Sequence, residues 1–199
     1  MTSRDEIVDA AMAICEEVGV EGLSMRVLGR RIGTSAMAVY RHVPNRQALL
    51  DAVVGRVLAG VPLPEHGMPW PERLRTVAHG LLDAAVAHPS VFPMALRRSY
   101  VADEAIAVMT TMYGILTDAG VPARDLPRLE RMLSTALLGF AVTASSGGFW
   151  TTDPDLVSGR LVLPDGGSPA ADADPDRWRA ELDRNVADLV RLVEGAAAA

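Results

Sequence analysis

The sequence has no lysine: all nineteen of its basic side chains are arginine. Any contact to phosphate must therefore come from arginine, a backbone amide or a neutral donor. Aromatic residues make up only 5% of the chain, which argues against a carbohydrate- or base-stacking surface. A single cysteine, Cys15, excludes a disulfide within one chain and fits a reducing compartment. Its helical spacing assigns it to the core. Long apolar runs are missing too. The most apolar stretch, Leu133 to Val142, is too short to cross a bilayer. The opening Met1-Thr2-Ser3-Arg4-Asp5-Glu6 turns acidic where a signal peptide turns apolar. A cytoplasmic protein with no membrane partner is expected. No glycine-rich phosphate loop, Cys/His metal cluster or serine elbow occurs, so no enzyme activity, cofactor or metal is expected.

What is present favours helix. Alanine, leucine and arginine are abundant and β-branched runs are short, which predicts an all-α fold. With 199 residues, 49% of them apolar, the chain can build a small head and a larger body. The net charge of −6 is unevenly spread. Residues 1–60 hold seven Arg and seven acids, whereas 61–199 hold twelve Arg and eighteen acids and carry the whole deficit. Residues 24–46 contain Arg26, Arg30, Arg31, Arg41 and Arg46 and no acid. A basic stretch on an acidic protein is the footprint of a polyanion partner.

Periodicity places a helix over about Arg4 to Val18, with Ile7, Ala11, Ile14 and Val18 as one buried stripe and Gly19 just beyond its end. Ser24 caps a short helix containing Leu28 and Ile32, which Gly33 stops. Thr34 or Ser35 opens another of about seven residues, and Asn45 caps a fourth with Leu49, Leu50, Val53, Val54 and Val57 on its apolar side. Val61 to Pro71, with four prolines, is a punctuated linker, so the domains are predicted as 1–60 and 61–199. Body helices are expected over about 71–87, 103–118, 125–146 and 175–194. Residues 145–174 read as a long loop, and the terminal alanines as frayed.

Two short helices separated by Gly33 form a helix-turn-helix, whose second helix enters the major groove. The run Leu23-Ser24-Met25-Arg26-Val27-Leu28-Gly29-Arg30-Arg31-Ile32-Gly33, followed by Val39-Tyr40-Arg41-His42-Val43-Pro44-Asn45-Arg46 and Leu49-Leu50-Asp51, resembles the TetR family of repressors. Tyr-x-His ending the recognition helix, with a basic residue opening the next helix, carries most of the likeness. Trp70 to His88 is similar to the start of the tetracycline-repressor type of regulatory domain.

The resemblance implies a helix-turn-helix head on a helical-bundle body that binds a ligand and dimerises. It implies that Arg26 reaches a guanine edge, that Ala36, Met37, Ala38 and Tyr40 face bases, and that Thr34, His42 and Arg46 hold phosphates, with Ser35 beside them. Ala36 and Met37 replace polar base readers of the family's tetracycline repressors, which implies a different operator. Positions that hold tetracycline-site histidines there fall on Pro62 and Ala95, so neither tetracycline nor a metal is expected.

In the body, Leu126, Leu129, Met132, Leu133, Ala136, Leu137 and Phe140 cover a broad arc, and Trp178, Leu182, Val186, Leu189 and Val193 line the last helix. Both fit core packing, and the resemblance adds a homodimer interface built from them. His79, Leu82, Phe92, Met94, Met109, Met112, Tyr113, Leu137, Phe140 and Trp150 are the candidates to line a cavity for a largely apolar inducer. The expected function is a repressor that holds a palindromic double-stranded operator as a dimer and leaves it when a small molecule binds. An activator, or a helical interaction protein without ligand release, is the competing reading.

Overall fold

The computed structural model describes residues 3–65, 67–97, 102–146 and 175–198. Its elements are α1 (Arg4–Val18), a 3-10 turn (Val20–Gly22), α2 (Met25–Arg31), α3 (Ala36–Tyr40), α4 (Arg46–Leu58), α5 (Trp70–Ala87), α6 (Met94–Arg97), α7 (Asp103–Asp118), α8 (Leu126–Ser145) and α9 (Pro175–Ala197). The fold is all-α, as composition predicted.

Side-chain caps set the starts of the first four helices. Ser3 and Glu6 form a reciprocal capping box on α1, each side chain accepting from the other's amide, at 3.1 and 2.8 Å. Ser24 accepts from the Val27 amide at 3.2 Å, Ser35 from Ala38 at 3.2 Å, and Asn45 from Ala48 at 2.8 Å. Gly33, at φ +70°, supplies the left-handed turn between α2 and α3 that a side chain would strain.

Ile7, Ala11 and Ile14 of α1 bury against Leu28, Val39, Val43, Leu49 and Val53 to make the head's core. Cys15 joins them, and burial, with Glu16 next to it, pushes its thiol pKa up against the opposing pull of Arg46. Val18 departs from the expected stripe and is exposed, because the chain turns away at Gly19 with φ +78°.

In the body, Leu129, Leu133, Leu137 and Ala141 of α8 bury on one face, toward α5, while Leu182, Val186 and Val193 bury on α9, which packs against both helices. α4 packs on α5 and α7, so one continuous core runs from head to body.

Some expectations needed revision. α3 has five residues instead of about seven. The 3-10 turn and the four-residue α6 were not anticipated, being too short to show periodicity. α9 runs on through the terminal alanines to Ala197, with Ala196 and Ala197 packed on the core, so that part of the tail is not frayed. Most of the expected 145–174 loop, and Trp150 with it, lies outside the described residues.

Candidate nucleic-acid interface and internal cavity

Only Val39 of α3 is fully buried and anchors the helix; Ala36 packs partly against the core, and Met37 and Tyr40 turn outward. Met37 is 74% and Tyr40 45% exposed, although burial is the norm for such side chains. Ser35 is exposed and Thr34, Ala36 and Ala38 are half-buried beside them, while His42 follows in the exposed turn after α3. Arg26 projects from the first turn of α2, also exposed. The side chains predicted to read and hold DNA therefore lie on α3, its two flanking turns, the start of α2 and, for Arg46, the first position of α4.

The arginines divide by partner. Arg31 forms a two-pronged ion pair with Glu17, which holds the Glu17 carboxyl below its usual range and the guanidinium above its own. Arg46 turns inward: its Nε donates to the Leu23 carbonyl at 2.9 Å and a terminal nitrogen to the Val20 carbonyl at 2.7 Å. It braces the 3-10 turn against α4, so its guanidinium is a strut before it is a phosphate clamp. Arg26, Arg30 and Arg41 are exposed and make no ion pair among the described residues. Within residues 24–46 they are the arginines without a carboxylate or carbonyl partner among the described residues.

Deeper in the molecule, α4, α5, α6, α7 and α8 surround a small cavity of about 40 Å³. Of the ten residues predicted to line a pocket, Met109, Met112 and Leu137 do so, joined by Val54 and Leu58 of α4 and by Ala95. Leu82, Phe92 and Met94 are buried in the surrounding core, and Tyr113 is half-buried on α7. His79 instead faces α9, with Nε2 3.0 Å from Asp183 Oδ1. Phe140 sits against Trp178 edge-to-face at 5.7 Å.

Sequence reasoning missed Glu130, which lines the cavity while only 3% exposed. The signal was there: Glu130, Leu133, Leu137 and Ala141 follow i, i+3, i+7, i+11, so an acid stands in the buried stripe of α8. Arg73 was missed in the same way. It is 1% exposed, on the buried side of α5 with Val77 and Leu81, and pairs with Asp118 at the end of α7.

On the outer side, Thr135, Ala136, Gly139 and Phe140 of α8 and Leu182, Asn185 and Leu189 of α9 flank an open groove of about 430 Å³. Leu192, on α9, is 41% exposed. Among the described residues no helix is long and apolar enough to cross a membrane, and no cluster of His, Cys, Asp and Glu is arranged to hold a metal.

An outward recognition helix, propped by a second helix and flanked by unpaired arginines, defines a helix-turn-helix DNA-binding protein. Residues 7–53 match the family described as bacterial regulatory proteins, tetR family, and residues 62–155 match the tetracyclin repressor-like C-terminal domain. The chain belongs to the TetR family of transcriptional repressors. It is 28% identical to an HTH-type transcriptional regulator of Saccharopolyspora erythraea, over 96% of this chain and 84% of that one. It is 37% identical to the class D tetracycline repressor protein of Escherichia coli, over 38% of this chain and 36% of the relative. The structure of ActR from Streptomyces coelicolor in complex with actinorhodin superposes with a TM-score of 0.77 at 27% identity, covering 98% of this chain and 99% of the other.

Proposed function

We propose that this chain is a ligand-responsive repressor, with residues 1–60 as its DNA-binding head and 61–199 as its sensing and dimerising body. Two copies hold the two halves of a palindromic operator, with recognition helices about 34–36 Å apart. Arg26, Tyr40 and the apolar tips of Ala36 and Met37 read bases; the thymine methyl is the natural partner for the last two. Thr34, Ser35, Ala38 and His42 line the contact, and Arg30 and Arg41 hold phosphate. Arg46 contributes the free amide at the start of α4 more than its guanidinium.

The groove between α8 and α9, with the exposed Leu192 nearby, is the surface assigned to the second copy. It is largely apolar, as a surface covered by a two-fold copy needs to be.

One observation carries the reading: Val54 and Leu58, which belong to the helix that ends the head, are also wall residues of the body's cavity. A molecule that enters the cavity must press on α4. It can shift the balance between operator-bound and released states only by its difference in affinity for them. ActR, which is similar over its whole length, holds actinorhodin in one of its structures, and this supports a small-molecule effector here.

The test is a nuclease footprint on duplex DNA selected by the protein from a random pool, with sedimentation of the free protein. Two protected half-sites one turn apart, a dimer in solution and release by a small molecule are expected. A single isolated half-site, or protection that no compound in a broad library disturbs, overturns the reading.

A further inference from the structure

Glu130 is an anomaly in its setting. Its carboxyl group lies in a cavity whose other walls, Ser134 apart, are apolar: Val54, Leu58, Leu81, Met109, Met112 and Leu137 among them. Among the described residues its only hydrogen-bond partner is Ser134, whose hydroxyl donates to Oε1 at 2.7 Å. A carboxylate offers about four acceptor sites, and one neutral donor leaves most of them empty. No described cation reaches it. Arg128 pairs with Asp125 on the surface at 3.7 Å, and Arg131 is exposed.

Withdrawing a lone carboxylate from most of its water is unfavourable unless a counter-charge restores the balance. A site that only had to recognise an apolar molecule would gain nothing from it. The same carboxylate becomes an asset if the bound molecule brings the missing charge, because a cation–carboxylate contact in so apolar a place is weakly screened.

Resting on the effector reading above, we propose that the effector is an amphiphilic cation: a protonated amine or similar compact cationic nitrogen joined to an apolar body, with Glu130 as its counter-ion. Ser134 holds the carboxylate in place. The apolar body lies against Met109 and Met112, whose unbranched side chains adapt to varied shapes. The cavity as it stands, about 40 Å³, admits little more than a water or two. A drug-sized effector needs several hundred Å³, so binding must push the walls outward, and two of those wall residues are on α4.

The test uses three probes of one length, below their micelle-forming concentrations: decylamine, decan-1-ol and decanoate. Binding is read by calorimetry and operator release by fluorescence anisotropy, with native protein, Glu130→Gln and Glu130→Asp. Decylamine is expected to bind native protein at least tenfold tighter than the other two. Glu130→Gln should erase that margin and leave decan-1-ol within about twofold, while Glu130→Asp, still charged but one methylene shorter, keeps part of it. Equal binding of amine and alcohol, or an amine preference that survives in Glu130→Gln, overturns the proposal. In either case, operator release by decan-1-ol would leave the effector cavity standing. If none of the three probes binds, the cavity reading falls together with the cation.

Discussion

Gly29 of α2 and Thr34, just ahead of α3, meet backbone to backbone. The Thr34 amide donates to the Gly29 carbonyl at 2.8 Å, and a β-carbon on Gly29 would lie 2.9 Å from the Thr34 carbonyl oxygen. The Ser35 carbonyl carbon and the Ala36 amide nitrogen would each be 3.1 Å away. The packing of α2 on α3 depends on the missing side chain.

Gly29→Ala therefore sets two effects against each other. Alanine is the better helix former by about 1 kcal/mol. The clash, however, is with backbone, which cannot rotate away, and overpacking of that kind costs about 1–3 kcal/mol. The clash should win. The variant is expected to melt at a lower temperature and to bind operator more weakly, since α3 is what must move. A melting temperature at or above that of the native protein would show that α3 does not sit so close.

Arg46 and Arg26 should separate bracing from DNA contact. Arg46→Ala removes two charge-assisted hydrogen bonds to the carbonyls of Val20 and Leu23, worth about 1–3 kcal/mol together at a half-buried site. A lower unfolding free energy is expected even without DNA. The exposed arginines should behave in the opposite way. Arg26→Ala and Arg41→Ala should leave the melting curve unchanged and weaken operator binding. If Arg41 holds phosphate, its loss lowers the slope of log affinity against log salt by about 0.9 per contact, close to 2 for a dimer. An unchanged salt slope for Arg41→Ala would remove it from the interface.

The buried ion pair gives a third expectation. Arg73 is almost wholly buried while the Asp118 side chain is 46% exposed, so removing the acid strands a charge in the core. Asp118→Asn should destabilise by about 1–3 kcal/mol, below the full cost of breaking a buried pair because water reaches the acid's side. Replacing both partners, Arg73→Met with Asp118→Asn, should recover most of that loss. Denaturant unfolding of the single and double variants checks the order. A double variant weaker than Asp118→Asn would show that the guanidinium does more than pair.

Much of this molecule was legible before any coordinates. The caps Ser24 and Asn45, the stop at Gly33 and the stripe of α4 are local signals, and local signals survive into the fold. The outward side of α3 was expected from the resemblance alone: Ala36, Met37, Ala38 and Val39 are all apolar, so its five residues carry no pattern that says which of them turns inward. What could not be read was decided by contacts distant in sequence. Arg46 looks like a phosphate ligand from its neighbours, yet its partners, Val20 and Leu23, lie more than twenty positions away. His79 looks like a pocket residue on α5, but α9, over a hundred positions later, supplies its partner. Glu130 and Arg73 were legible in principle as charges inside apolar stripes; periodicity flags the anomaly without naming the partner or the cavity.

The contact between α5 and α9 makes a prediction about acid. The Asp183 carboxyl is held below its ordinary range, first by its hydrogen bond with His79 and then by the charges of His79 and Arg75. A carboxyl whose pKa is lower folded than unfolded stabilises the fold above the unfolded value. That contribution is lost as pH falls through the folded one. Asp183 is half exposed, so the stability change is modest and the titration itself is the better readout. His79→Phe should move the Asp183 titration, followed by carbon-detected NMR, up toward the ordinary aspartate value. It should also shift the onset of acid unfolding slightly upward in pH. Operator affinity at neutral pH should not change, since His79 faces α9. An Asp183 titration unaltered by His79→Phe would mean that the two side chains do not meet in solution. If operator affinity fell as well, His79 would belong to the coupling between body and head.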